Sequence, residues 1–178
     1  MKRRLIVMRH AKSSWANPDQ TDHDRPLNKR GLRDAPRVAA KLAELGWVPD
    51  FVLSSDAVRT QQTYRQMQIA FPDTVPTEFT KRLYHGGVTE FLSAVSQLGD
   101  SLQTVLVLGH NPGWEHVVHY LTDHPIIMKT STAALIETPF TAWQDLVESK
   151  EKCSLVDTIY APRFGTGVTR CGSDEIDE

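Results

Sequence analysis

Four cationic side chains stand where apolar runs end. In "RRLIVMRHAKSSW", residues 3–15, four apolar residues lead straight into Arg9 and His10. In "VLSSDAVRT", residues 52–60, a second apolar run is followed by Arg59, and in "TVLVLGHNPG", residues 104–113, a third ends at His110. Arginine presents a planar fork of donors that fits phosphate oxygens. A neutral imidazole can act as a nucleophile or carry a proton. Taken singly, a strand-end histidine is ordinarily structural, and a helix arginine is ordinarily solvated. Two of each, converging from three parts of the chain, make a donor-rich pocket whose obvious guest is a phosphoryl group. After His110, Asn111 is the expected N-cap and Pro112 the first helical residue. A helix start there favours an anion.

Such residues converge only if the runs are neighbouring strands. Apolar β-branched runs alternate with helical patterns, which predicts an α/β fold with a mostly parallel sheet. Ligands in such sheets bind beyond the carboxyl ends of the strands. The first strand is expected at 4–8. A helix follows, with Asn28 as N-cap, a buried face of Leu32, Ala35, Val38, Ala39, Leu42 and Leu45, and Gly46 as its end. Pro36 is tolerable only early in that helix. A strand at 50–55 precedes a helix at 57–71. Pro72 and Pro76 punctuate, and a short strand is expected near 77–79. A helix at 87–99, a strand at 103–110 and a helix at 112–122 come next. The segments 132–140 and 153–161 read as an antiparallel pair of strands.

The chain of 178 residues suits one domain, expected at 1–165, with an acidic, flexible tail at 166–178. A net charge of −2 gives no polyanion-binding field, so nucleic acid is not an expected partner. No apolar run reaches the ~18 residues of a membrane span. The run in "MKRRLIVM" is too short for a signal peptide, and the cytoplasm is the expected location. Cys153 and Cys171 fit no metal or redox spacing and are expected as reduced thiols. His116 and His119 are three apart, but no third ligand is evident, so no metal is expected. No phosphate-cradling lysine motif or nucleophile elbow is present.

These motifs resemble the histidine phosphatase superfamily, with its phosphoglycerate mutase-like fold. "VMRHAKSSW" resembles the Arg-His-Gly signature, with Ala11 where Gly is usual. "LSSDAVRTQQT" and "VLVLGHNPG" resemble the second and third motifs, and "RPLNKRGLRDA" resembles the segment after the first loop. Within the superfamily the chain is most similar to the short SixA-type phosphohistidine phosphatases, without a large lid subdomain. The resemblance implies a three-layer αβα sandwich and no cofactor. It implies His10 as nucleophile, with Arg9, Arg59 and His110 holding the phosphate, and Arg25 of "DRPLN" reaching it too. It implies a phosphorylated protein, such as a phosphohistidine domain, as substrate. The mutases and ester phosphatases carry an acid Glu four residues before a Gly. Aligned on Gly86, that place holds Arg82, while Glu78 and Glu90 miss the spacing. The expected activity is therefore removal of phosphoryl groups from phosphohistidine. A broad phosphomonoesterase is the alternative, and a non-catalytic phosphate-binding domain is the rival from another class.

Overall fold

The computed structural model of the chain describes residues 2–71 and 74–161. The expected tail at 166–178, Cys171 and Pro72 lie outside the described residues. Among the described residues six strands form one sheet: β1 (Arg4–Arg9), β2 (Phe51–Ser55), β3 (Thr77–Thr80), β4 (Thr104–Gly109), β5 (Ala133–Glu137) and β6 (Ser154–Ile159). Their order is β3-β2-β4-β1-β5-β6. β1 pairs with β4 in parallel, as β4 does with β2 and β2 with β3. β5 runs antiparallel to both β1 and β6, which bears out the expected pair at the end of the chain.

The helices are α1 (Lys29–Glu44), α2 (Val58–Met67), α3 (Val88–Val95), α4 (Gly113–Thr122) and the single turn α5 (Asp145–Glu148). Alternation along the strands sends side chains to two cores. Ile6, Met8, Leu106 and Leu108 pack with Val38, Leu42, Tyr64 and Met67 of α1 and α2. Leu5, Val7, Val105 and Val107 pack with Phe91, Trp114, Val117 and Val118 of α3 and α4. The central strands β1 and β4 are covered on both faces, hence their unbroken apolar runs.

Asn28 caps α1 as expected, its side chain accepting from the Gly31 amide. Gly46, at φ 71°, ends the helix in the left-handed region. The buried face differs from the expectation. It consists of Gly31, Asp34, Ala35, Val38, Ala39 and Leu42, whereas Leu32 and Leu45 are exposed. The stripe is rotated because Gly31 must face inward. A Cβ on Gly31 would lie 2.2 Å from the Lys12 carbonyl oxygen, so α1 sits directly against the loop after β1. Pro36 is accommodated inside the helix.

Candidate active site

The parallel register places the two histidines side by side. Arg9 pairs with Gly109, and the His10 amide donates to the Gly109 carbonyl at 3.0 Å. His10 and His110 are therefore the first residues beyond two adjacent strand ends. Their ring centroids are 5.1 Å apart. Both rings are buried, at 7% and 3% exposure.

The tautomers follow from the partners. His10 Nδ1 lies 2.7 Å from the Ala11 carbonyl oxygen, which can only accept, so Nδ1 carries the proton and Nε2 the lone pair. Arg59 Nη2 donates to His110 Nδ1 at 3.1 Å, which leaves His110 Nε2 to donate to Ser55 Oγ at 2.8 Å. Burial is the largest cause that lowers the His10 pKa, to about 3; the charges of Arg59, Arg9 and Arg25 add to it, and the Ala11 carbonyl opposes it. Loss of water does more than the neighbouring cations to keep this ring neutral. Burial likewise lowers His110 to about 2, followed by His10 and Arg59.

Arg59 stands in the first turn of α2 and is 2% exposed. Its Nη1 donates to the Asp22 carbonyl, and its Nη2 reaches Asp22 Oδ2 at 3.0 Å. Arg25 is buried. Its Nη1 donates to Ser13 Oγ at 2.8 Å, its Nη2 to Asp22 Oδ1 at 2.7 Å, and its guanidinium lies 3.5 Å from the centre of the Trp15 ring. Arg9 donates from Nη1 to the Met128 carbonyl at 2.8 Å. The Nε donors of Arg9 and Arg59 are buried without a partner. An orphaned buried donor is costly, and an anion would satisfy it. The structure thus brings together all five residues singled out in the sequence, since Arg59, Arg9 and Arg25 are the charges felt at His10.

One expectation needs correction. Asn111 does not cap α4. Its amide donates to Glu115 Oε1 and the Met128 carbonyl, both at 2.8 Å, and Pro112 takes the cap position. His116 and His119 face solvent on α4, and among the described residues no group of three or more metal-ligating side chains is assembled. Arg82 is exposed, and its side chain donates to Ser93 Oγ at 3.2 Å. Glu90 Oε2 accepts from the Gly87 amide at 2.8 Å, and Glu78 is exposed on β3.

The sequence reading missed Asp22, Tyr84, His85 and Ser55. Tyr84 Oη donates to Asp22 Oδ2 at 2.7 Å, and the Tyr84 ring centroid is 5.5 Å from that of His110. His85, in "HGG", lies 5.9 Å from His110, ring to ring. Asp22 sits in the polar stretch "TDHD", where no periodicity marks it. Its place three residues before Arg25 was the available signal.

The two buried rings set a dependence of stability on pH. An unfolded histidine titrates near 6.5. The folded values lie far below, so under pH 6.5 the unfolded chain binds protons that the folded chain refuses. Stability is full above that pH and falls as the pH drops toward 3, by roughly 1.4 kcal/mol per pH unit for each ring. Asp22, lowered from its ordinary value, acts in the same direction below about pH 4. Thermal unfolding at pH 7.5, 6 and 5 should show a falling midpoint. A flat profile would mean that the rings titrate in the folded protein as they do in the unfolded chain.

The family model of the histidine phosphatase superfamily (branch 1) matches residues 5–90. An uncharacterized chloroplastic protein of Arabidopsis thaliana is 37% identical over 154 residues, spanning 82% of this chain and 71% of that one. The structure assigned to the phosphohistidine phosphatase SixA of Nakamurella multipartitia is 29% identical, with a TM-score of 0.81 over 90% of this chain and 97% of that one. A structure of the protein histidine phosphatase SixA complexed with tungstate has a TM-score of 0.75 at 21% identity, over 88% and 96% of the two chains, and so shares the fold. The strand-end histidines, the arginines between them and these likenesses agree: the chain belongs to the histidine phosphatase superfamily.

Proposed function

We propose that the protein is a phosphohistidine phosphatase that removes phosphoryl groups from protein histidines through a covalent intermediate on His10. One observation carries this reading: a buried, neutral imidazole with its Nε2 lone pair free, set among Arg9, Arg25 and Arg59. Superfamily membership supports phosphatase chemistry. In the first step His10 Nε2 attacks phosphorus, and the bond to the leaving group breaks with its electron pair. In the second, water displaces phosphate from His10 and the electron pair returns to Nε2. The arginines neutralise the charge that spreads over the phosphoryl oxygens in both steps. His110, linked to Arg59, lies against the same centre. No metal or cofactor is part of this proposal, and the partner is a phosphorylated protein of the cytoplasm. Among the described residues no helix is long and apolar enough to cross a membrane.

The alternative reading, a phosphomonoesterase on small esters, calls for a proton donor. Arg82, Glu78 and Glu90 do not supply one from where they stand. The test is turnover of a phosphohistidine peptide beside an alkyl phosphate, in one buffer.

The clamp makes its own prediction. Arg59→Lys keeps the charge but loses the fork that spans Asp22 and His110. Losing one charge-assisted contact costs roughly 1.5–3 kcal/mol, about 10- to 150-fold in kcat/KM. Steady-state kinetics on the phosphohistidine peptide measures it. Wild-type efficiency in the lysine variant would place Arg59 outside the phosphate site.

A further inference from the structure

The site contains one carboxylate that neither step above uses. Asp22 Oδ1 takes Arg25 Nε at 3.0 Å and Nη2 at 2.7 Å. Asp22 Oδ2 takes Arg59 Nη2 at 3.0 Å and Tyr84 Oη at 2.7 Å. Burial disfavours the charge, but the hydrogen bonds from Tyr84 and Arg25 and the charges of Arg59 and Arg25 outweigh it, and hold the carboxyl well below the usual carboxylate range. A carboxylate held ionised cannot protonate an alkoxide. It can accept from a cationic N–H.

The chain already shows Asp22 an imidazole. His85 Nε2 lies 3.5 Å from Asp22 Oδ2, and the His85 ring stands 4.1 Å from Tyr84, centroid to centroid. His85 is the least buried member of the cluster, with its side chain 61% exposed. It holds a left-handed backbone, φ 54°, on the loop between β3 and α3. Asp22 and Tyr84 thus offer an imidazole a carboxylate at its edge and an aromatic ring beside it, next to the phosphate-holding arginines.

Building on the phosphohistidine reading, we propose that Asp22 and Tyr84 form the seat of the substrate's leaving imidazole, and that Asp22 sets the preference for N–P over O–P bonds. The imidazole carries phosphorus on one nitrogen and a proton on the other. Asp22 accepts the hydrogen bond of that far N–H and stabilises the ring as a cation. His10 Nε2 forms its bond to phosphorus, the P–N bond breaks, and its electron pair stays on the substrate nitrogen. The ring leaves neutral, keeping the proton it arrived with, so no proton need be delivered to the breaking bond. An alkyl ester has no second nitrogen and gains nothing from Asp22. The substrate ring replaces His85, whose exposure lets it swing out.

The test compares kcat/KM for a phosphohistidine peptide and for an aryl phosphate, in full-length wild type, Asp22→Asn, Asp22→Glu and His85→Ala. The seat predicts that Asp22→Asn lowers the ratio of the two efficiencies about tenfold or more, as expected for a lost charge-assisted hydrogen bond. Asp22→Glu should restore part of the ratio. His85→Ala should raise it through a lower KM for the peptide, and this arm decides the matter should the Asp22 variants fail to fold. Equal losses on both substrates in Asp22→Asn, or a higher peptide KM in His85→Ala, would overturn the seat and leave the phosphohistidine reading standing. A wild type that cleaves the aryl ester but not the phosphohistidine peptide would overturn that reading, and the seat with it.

Discussion

His10→Ala should abolish turnover, with a loss on the order of 10⁴-fold or more in kcat. The size follows from the role. Covalent catalysis splits one displacement into two, and without the nucleophile neither half remains. The binding groups stay in place, since Arg9, Arg25 and Arg59 are held by Met128, Ser13 and Asp22, not by His10. The variant should therefore still bind vanadate or inorganic phosphate while failing to turn over. It should also fold, because His10 lies past the end of β1 and its ring makes one hydrogen bond, to the neighbouring Ala11 carbonyl. Circular dichroism and anion binding check these points beside the kinetics. Retention of more than a few per cent of activity would remove His10 from the role of nucleophile.

The second large effect concerns the leaving group. General acid catalysis is worth about 10²–10⁴-fold, and most where the leaving group is a strong base. A glycerol or sugar alkoxide is such a base. A neutral imidazole is not, since its conjugate acid has a pKa of about 6.5. The carboxylates expected near the acid position are engaged or remote: Glu90 accepts from the Gly87 amide, and Glu78 is exposed on β3. The arginine at the expected position turns to Ser93. Efficiency on 3-phosphoglycerate should therefore fall about 10²–10⁴-fold below that on a phosphohistidine peptide, with an aryl phosphate between them. Steady-state kinetics with the three substrates in one buffer decides it. Equal efficiency on the alkyl ester would favour the phosphomonoesterase reading.

The strand ends were legible because a parallel sheet turns sequence into proximity. Once β1 and β4 are recognised as neighbours, His10 and His110 must stand together, and α2 following β2 brings Arg59 to the same edge. The cores were legible for the same reason: an apolar run buried on both faces declares a central strand. Loop residues obey no such period. Asp22 enters the site only because the loop before α1 folds back over the strand ends, and Tyr84 and His85 only because of a single 3₁₀ turn after β3. The face of α1 was misjudged by hydrophobicity alone, since close approach to the Lys12 backbone decides which residues turn inward. Asn111 was misjudged because its side chain had a better use, bridging Glu115 and Met128.

The most direct test of the central claim is to catch the intermediate. A phosphohistidine peptide with labelled phosphorus is mixed with enzyme for milliseconds and quenched in alkali, where a phosphohistidine survives. The label should stay with the protein, be released by acid, map by peptide mass to His10, and be absent from the His10→Ala variant. Label on another residue, or turnover with no labelled protein at any quench time, would contradict the account.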